Sequence, residues 1–531
     1  MFSVRSIGFS SLRHKRKLAI PLIIFSFMFV FYGLAQLAGL QDYNADTWAP
    51  LALKQSQPLK CSQLPIPEHY WAGKRSEMPL FVEIPSLQPI NVGDTVCVRV
   101  IIPANRVKAS VVFAPFPDTP WDSILLDMVG NSTGISVPVE LKRVDDLRNY
   151  GINNAHIYEA DVQLRDADLY RPEGYLEYRD AKWNAEAPLG PQPFMPEPLF
   201  ISDLLAIDVQ DKDKQSPFSL SRYMELPVCT ESNPEGRWVS IDDIPFDTSS
   251  LPPPDNHNRV WLPYDCRLLR ISYQSFAQCL ISKYPTVHFF GDSNMRRALK
   301  KITTLGEWCS TPQEQASGRC LCEDHSEPFP RFNLNIRDAH INMDPTNGGW
   351  AQTGDLVHTR HANQSRIYAH RWDGLTENNQ APWWAVFGAG MERNGHAQLV
   401  IISLTNWDAA FSTRSFYAWE LNRLLDIIEN VYDPRTEIMV RTGQYYCCRH
   451  DESRTKRRYS RLRNKAFDSY IVDAFTERFN STRKLSIWDV SALSERRPLE
   501  ARKESISCHA NHARAEIIEI ENQLLFNHMC N

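Results

Sequence analysis

The sequence has no excess of charge of either sign, no internal repeat, no low-complexity stretch and no cysteine before residue 61. Lysine and arginine number 58 against 63 acidic residues, a net charge of -5, which argues against a general nucleic-acid-binding surface. Cys309, Cys320 and Cys322 have a spacing that metal sites use, but no second cysteine pair or histidine pair matches them. Disulfides are the better reading, and no metal is expected. The pairing cannot be read from the sequence.

What is present first is an anchor. Residues 1–17 are basic, with Arg5, Arg13, Lys15, Arg16 and Lys17. An apolar run of 23 residues follows from Leu18 to Leu40, long enough to cross a bilayer and longer than a signal-peptide core. Asp42 and Asp46 lie beyond it. The charge asymmetry predicts a type II signal anchor over 18–40, with the C-terminal part on the luminal side. All 12 cysteines and three sequons, at Asn131, Asn363 and Asn480, lie on that side.

A stem is expected over 41–78. From residue 79 to 212 the period becomes two: Val96, Val98, Val100 and Ile102 alternate with Cys97, Arg99 and Ile101. Such a pattern predicts a β-sandwich. The five prolines between Pro188 and Pro198 predict a loop or an edge excursion. Over 225–531 strand and helix patterns alternate, which predicts a mostly parallel sheet with helices on both faces. Strands are expected at 397–404, 437–442 and 485–490. Helices are expected around Leu421–Ile428, around Phe467–Phe475 and at the C-terminus.

The chemistry points to one serine. Thr286–Phe290 is an apolar strand that ends in Gly291-Asp292-Ser293 and turns into a helical stretch. A serine there has an exposed hydroxyl and sits among the first N–H groups of a helix, which suits a nucleophile and an oxyanion. An ordinary turn after a buried strand is the plain alternative. The base is sought in Ser505–His512, where His509 and His512 stand just before the last helix; a metal pair or two solvated loop residues are the alternatives. Asn406, at a strand end, and Gly388 or Gly390 could supply oxyanion donors. Arg454, Lys456, Arg457, Arg458, Arg461, Arg463 and Lys465 form a basic cluster, read as a solvated helix start or as a contact with anionic glycan or lipid headgroups.

Cys229, Gly236-Arg237-Trp238, Trp261-Leu262-Pro263-Tyr264-Asp265-Cys266, Cys279-Leu280 and Gly291-Asp292-Ser293-x-x-Arg296 together resemble the PC-esterase family of the GDSL/SGNH superfamily. That family includes the trichome-birefringence-like wall acetyltransferases and the neurexophilin and PC-esterase (NXPE) proteins. The resemblance covers 225–531, and the preceding sandwich resembles the immunoglobulin-like domain of the NXPE branch. It implies an α/β SGNH-type three-layer sandwich after an N-terminal immunoglobulin-like domain. Ser293 would be the nucleophile and His512 its base. The Ser293 N–H, Gly390 and Asn406 would form the oxyanion hole, and Asp292, Arg296 and His509 would lie nearby.

The chain departs from the family's Asp-x-x-His, because His509 stands three before His512 and Ile506 three before His509. Asp489, after Ile487-Trp488, is the expected acid. The implied activity is glycan or polysaccharide O-acetyl transfer in the Golgi membrane, with no bound cofactor and an acetyl donor left open. The alternatives are a carbohydrate acetyl esterase and a catalytically weak glycan-binding module. Expected partners are the glycan and, through 18–40, the membrane, but no nucleic acid.

Overall fold

The computed structural model describes residues 60–66, 81–84, 89–103, 122–131, 135–144, 155–178, 197–199, 205–211, 219–232, 234–242, 248–303, 305–306, 335–336, 339–344, 351–358, 364–375, 396–445, 461–495, 497, 513 and 515–531. They belong to one compact unit, Gln55–Asn531; the other unit, Met1–Lys54, holds the expected anchor over 18–40 and lies outside the described residues. Among the described residues no helix is long and apolar enough to cross a membrane.

Twelve strands come first among the described residues, and over Thr95–Pro103 the alternation of β-branched residues is plain. They are β1 (Phe81–Glu83), β2 (Ile90–Asn91), β3 (Thr95–Pro103), β4 (Ser123–Gly130), β5 (Ser136–Pro138), β6 (Lys142–Arg143), β7 (Ala155–Gln163), β8 (Asp168–Tyr178), β9 (Glu197–Pro198), β10 (Ile207–Gln210), β11 (Gly236–Ser240) and β12 (Arg259–Pro263). A four-stranded sheet runs β1-β3-β7-β6, and an eight-stranded one runs β12-β11-β5-β4-β8-β10-β2 with β9 beside β8. Val96, Val98, Val100 and Ile102 bury against Ile124, Leu126, Met128, Tyr170 and Leu176, so the period-two reading locates this core. Of the proline-rich segment only Glu197 and Pro198 are described, as β9 beside β8, and the rest lies outside the described residues. The disulfide Cys61–Cys97 and the Cys61 N–H to Asp161 Oδ1 bond of 2.7 Å pin the preceding chain to β3 and β7.

The third sheet uses β13 (Thr286–Gly291), β14 (Asn335–Ile336), β15 (Ala339–Asp344), β16 (Ala351–His358), β17 (Gln364–Arg371), β18 (Leu399–Ser403), β19 (Glu437–Arg441) and β20 (Leu485–Trp488), in the order β14-β15-β16-β17-β13-β18-β19-β20. The helices are α1 (Leu220–Glu225), α2 (Tyr273–Lys283), α3 (Ser293–Thr303), α4 (Thr405–Phe411), α5 (Arg414–Val431), α6 (Arg461–Phe479), α7 (Val490–Glu495) and α8 (Ala515–Cys530). Both faces of β13, β18 and β19 are buried, which is why their sequences read as nearly continuous apolar runs. Val287, Phe289, Leu399, Ile401 and Met439 pack with α2, α3 and α8. Phe290, Val400, Ile402, Ile438 and Val440 pack with α5 and α6.

The expected fold class is corrected on two counts. First, the third sheet is mixed. From β17 to β20 it is parallel, but β14, β15, β16 and β17 pair antiparallel. The physical reason is connection length: residues 345–350 and 359–363 are too short for a parallel crossover, so these strands fold back as a meander. Second, the immunoglobulin-like sandwich is not self-contained. β11 and β12, from the segment read as α/β, join its larger sheet through Trp238 opposite Ser136. The molecule is a mixed α/β assembly of three sheets, not an SGNH-type three-layer sandwich after a detached immunoglobulin-like domain.

Candidate functional site

Ser293 begins α3 directly after β13, a central strand of the parallel portion. Gly291 is required at this turn: a Cβ there would lie 2.6 Å from Met295 Cβ and 3.1 Å from the Ser403 carbonyl oxygen. Asp292 caps the helix, its Oδ1 accepting from the Asn294 N–H at 2.8 Å and the Met295 N–H at 3.4 Å. Those two donors serve the cap, so an oxyanion at this turn would have to use the Ser293 N–H and groups from neighbouring strands. Ser293, expected to be exposed, is buried instead. Ser293 is 8% exposed, because the ends of β17 and β18 flank the turn, with Gly291 opposite Ser403 and its carbonyl accepting from Trp372. Burial pushes the Asp292 carboxyl up to about 6; Arg441 opposes the shift and Asp373 adds to it.

Asn406 lies on the first turn of α4, three residues beyond Ser403, at the neighbouring strand end. Its amide grips the backbone of Gln444: Nδ2 donates to the carbonyl at 2.7 Å and Oδ1 accepts from the N–H at 3.0 Å. Asp489 follows β20 and caps α7, its Oδ1 accepting from the Ala492 N–H at 2.9 Å and the Thr442 hydroxyl at 3.0 Å. β20 is three strand spacings from β13, about 14 Å at the usual separation. Arg296 is buried in α3, its N–H bonded to the Asp292 carbonyl. His509, His512, Gly388 and Gly390 lie outside the described residues, as do Cys309, Cys320, Cys322 and Asn363. Asn131 and Asn480 are exposed, at a turn after β4 and at the end of α6.

Several residues at these strand ends escaped the sequence reading. Arg441 and Glu521 form a fully buried pair at 2.8 Å, with the guanidinium over the Trp488 ring. Glu521 also accepts from Gln444 Nε2 at 2.8 Å, and Arg441 reaches the Ser403 hydroxyl at 3.4 Å. Asp468, on α6, accepts from the Gly443 N–H at 2.8 Å, and burial pushes its carboxyl up to about 8. A charge on an apolar face was the available signal. Glu521 stands at helical spacing among Ile517, Ile518, Leu524 and Leu525, and Arg441 closes the run Ile438–Val440.

The basic cluster is corrected where it is described. Arg461 and Arg463 are buried rather than solvated. Arg461 pairs with Glu495 at 3.2 Å, and Arg463 donates to the Ser412 carbonyl at 2.6 Å. Lys465 pairs with Glu140 of the sandwich at 2.8 Å. Arg454, Lys456, Arg457 and Arg458 lie outside the described residues.

The Gly-Arg-Trp and Tyr-Asp-Cys stretches stitch β11 and β12 to their surroundings. A Cβ on Gly236 would lie 2.7 Å from the Leu262 carbonyl oxygen. Arg237 pairs with Asp166 at 3.1 Å, donates to the Leu262 and Pro263 carbonyls, and covers the Tyr264 ring at 4.5 Å. Arg165 covers the same ring at 4.4 Å and pairs with Asp265. Disulfides Cys229–Cys266 and Cys279–Cys530 close this region onto the last helix. Compared with known proteins, the chain matches no protein-family model and no curated protein sequence.

Proposed function

We propose that the chain is a serine acyltransferase that moves an acetyl group to a hydroxyl of a glycan or polysaccharide. The observation that carries the reading is Ser293 on a glycine-dependent strand-to-helix turn, with Asn406 at the adjoining strand end. The resemblance of the Gly-Asp-Ser-x-x-Arg stretch and its preceding motifs to the PC-esterases supports the same chemistry. Ser293 Oγ attacks the acetyl carbonyl of an ester or thioester donor while His512 takes its proton. The donor's leaving group departs with that proton, leaving acetyl-Ser293. The sugar hydroxyl then attacks the acetyl carbonyl and gives its proton to the histidine, which passes it to the departing Ser293 Oγ, so that the acetylated sugar leaves and serine and neutral histidine are restored. The Ser293 N–H and the second Nδ2 hydrogen of Asn406 stabilise the oxyanion. Water in place of the sugar makes the same site an acetyl esterase. The apolar run over 18–40, the sequons and the three disulfides among the described residues support a luminal, Golgi-membrane setting.

The test is covalent labelling of the full chain with a fluorophosphonate, followed by incubation with an acetyl donor and a glycan acceptor. Labelling confined to Ser293, lost in Ser293→Ala, together with acetylated glycan, is the expected result. A chain that is not labelled at Ser293 overturns the reading.

A further inference from the structure

A buried carboxylate of the β-sandwich, Glu177, reaches the segment beside the candidate site. Glu177, near the end of β8, is buried 268 residues away in sequence from its partner Tyr445. The Tyr445 hydroxyl donates to Glu177 Oε1 at 2.5 Å. Glu177 Oε2 accepts from the Ser123 hydroxyl at 2.7 Å and from the Arg461 N–H, at the start of α6, at 2.9 Å. The Tyr445 ring packs on Leu125 and Tyr175 of the sandwich. Thus the segment that leaves β19 inserts its tyrosine into the sandwich and is fastened there.

The residue just before Tyr445 is Gln444. Its backbone is gripped by Asn406 from both sides and its side chain by Glu521, which holds Arg441. Asn464 of α6 donates to the same Gln444 carbonyl at 3.1 Å, and Asp468 holds the Gly443 N–H. Glu177 therefore anchors both supports of Gln444: the chain that follows it, through Tyr445, and the helix that flanks it, through the start of α6. A shift of Gln444 is passed to Asn406, because two hydrogen bonds in a buried setting leave the pair no independent movement.

We infer that Glu177 and Tyr445 are positioning residues for the Ser293 site, by which the β-sandwich sets the placement of Asn406. The inference rests on reading Ser293 as the nucleophile and Asn406 as an oxyanion donor. Its content is that the N-terminal half takes part in catalysis without touching substrate.

Tyr445→Phe is the discriminating variant, since it keeps the packed ring and removes only the hydroxyl. Glu177→Gln is the second, since it keeps one acceptor oxygen. Two readouts are taken on the full chain: fluorophosphonate labelling of Ser293, split into probe affinity and maximal rate, and hydrogen–deuterium exchange over 441–445 and 403–411. Tyr445→Phe should lower the maximal labelling rate by about 10-fold to 100-fold, as sub-ångström misplacement of a catalytic group does, with probe affinity unchanged. Exchange should rise in both segments while the melting temperature stays near that of the parent, and Glu177→Gln should give a smaller loss of the same kind. A parent that labels, with variants that label at the same maximal rate or leave exchange unchanged, overturns the positioning role alone. A parent that does not label overturns the Ser293 reading and this inference with it.

Discussion

Arg441 and Glu521 meet at 2.8 Å with both side chains fully buried, and through them the last helix is joined to the carboxyl ends of three neighbouring strands. Arg441 belongs to β19 and reaches the Ser403 hydroxyl at the end of β18; Trp488 of β20 donates its Nε1–H to the Glu521 carbonyl. Further along, α8 is fastened by Gln523 and Asn527, which bond the backbone of Ile271 and Leu269, and by Cys279–Cys530. Polar side chains from Glu521 to Asn527 thus fasten the helix, while its apolar residues fill the core.

Removing one partner of that pair leaves a buried charge uncompensated. Glu521→Ala should cost about 3–5 kcal/mol, measured by urea unfolding. Replacing both, as Arg441→Met with Glu521→Leu, should recover a large part of that loss, because the desolvation of both charges disappears together. A double variant whose loss equals the sum of the singles would show that the pair does not act as a unit.

Gly291→Ala tests the turn. The new Cβ would meet Met295 Cβ at 2.6 Å and the Ser403 carbonyl at 3.1 Å, both within packed structure. Relief requires moving α3 or β18, at about 1–3 kcal/mol. The melting temperature should fall, and labelling of Ser293 should fall further than stability explains, since the displaced element carries the serine. A variant that labels at the parent rate would show the turn to be tolerant.

The strands that carry the site were legible because both of their faces are buried; runs such as Leu399–Ser403 and Ile438–Val440 have no polar face to blur them. The meander from β14 to β17 was not, since Gln364–Arg371 mixes Ser365, Arg366 and His370 with Ile367 and Tyr368 and gives no clean period. Two of the motif residues have a structural place that the sequence did not show. Arg237 and Tyr264 drew attention as a family signature, yet here they build the joint between β11, β12 and the loop around Asp166. Glu177 and Tyr445 carried no local signal, because neither pattern nor spacing reveals a contact spanning 268 residues.

The luminal orientation has its own test. Asn131 and Asn480 are exposed sequon asparagines, at the turn after β4 and past the last turn of α6. Expressed in a secretory host that modifies sequons, the chain should shift in gel mobility on glycosidase treatment. Asn131→Gln and Asn480→Gln should each remove one step of that shift. Unmodified asparagines together with protease access to the C-terminus from the cytosolic side would reverse the topology.

Asp468 provides a pH test, and its sign can be worked out in advance. Its ordinary carboxyl value is 3.8, and burial pushes it up to about 8 in the folded chain. The folded protein therefore keeps a proton that the unfolded chain has lost, and stability falls as pH rises between those two values. The slope is one proton, about 1.4 kcal/mol per pH unit over the middle of that window. Asp468→Asn removes the titration and keeps an oxygen for the Gly443 N–H, the contact now made at 2.8 Å. The asparagine variant should therefore gain on the parent steadily as pH rises, with the gain levelling off above about pH 8. Urea midpoints of both proteins across this range decide the matter: curves that stay parallel would mean that Asp468 is ionised in the folded chain. A parent that instead gained on the variant as pH rose through the acid range below 3.8 would mean that the buried carboxylate is held by a cation or a donor stronger than the Gly443 N–H.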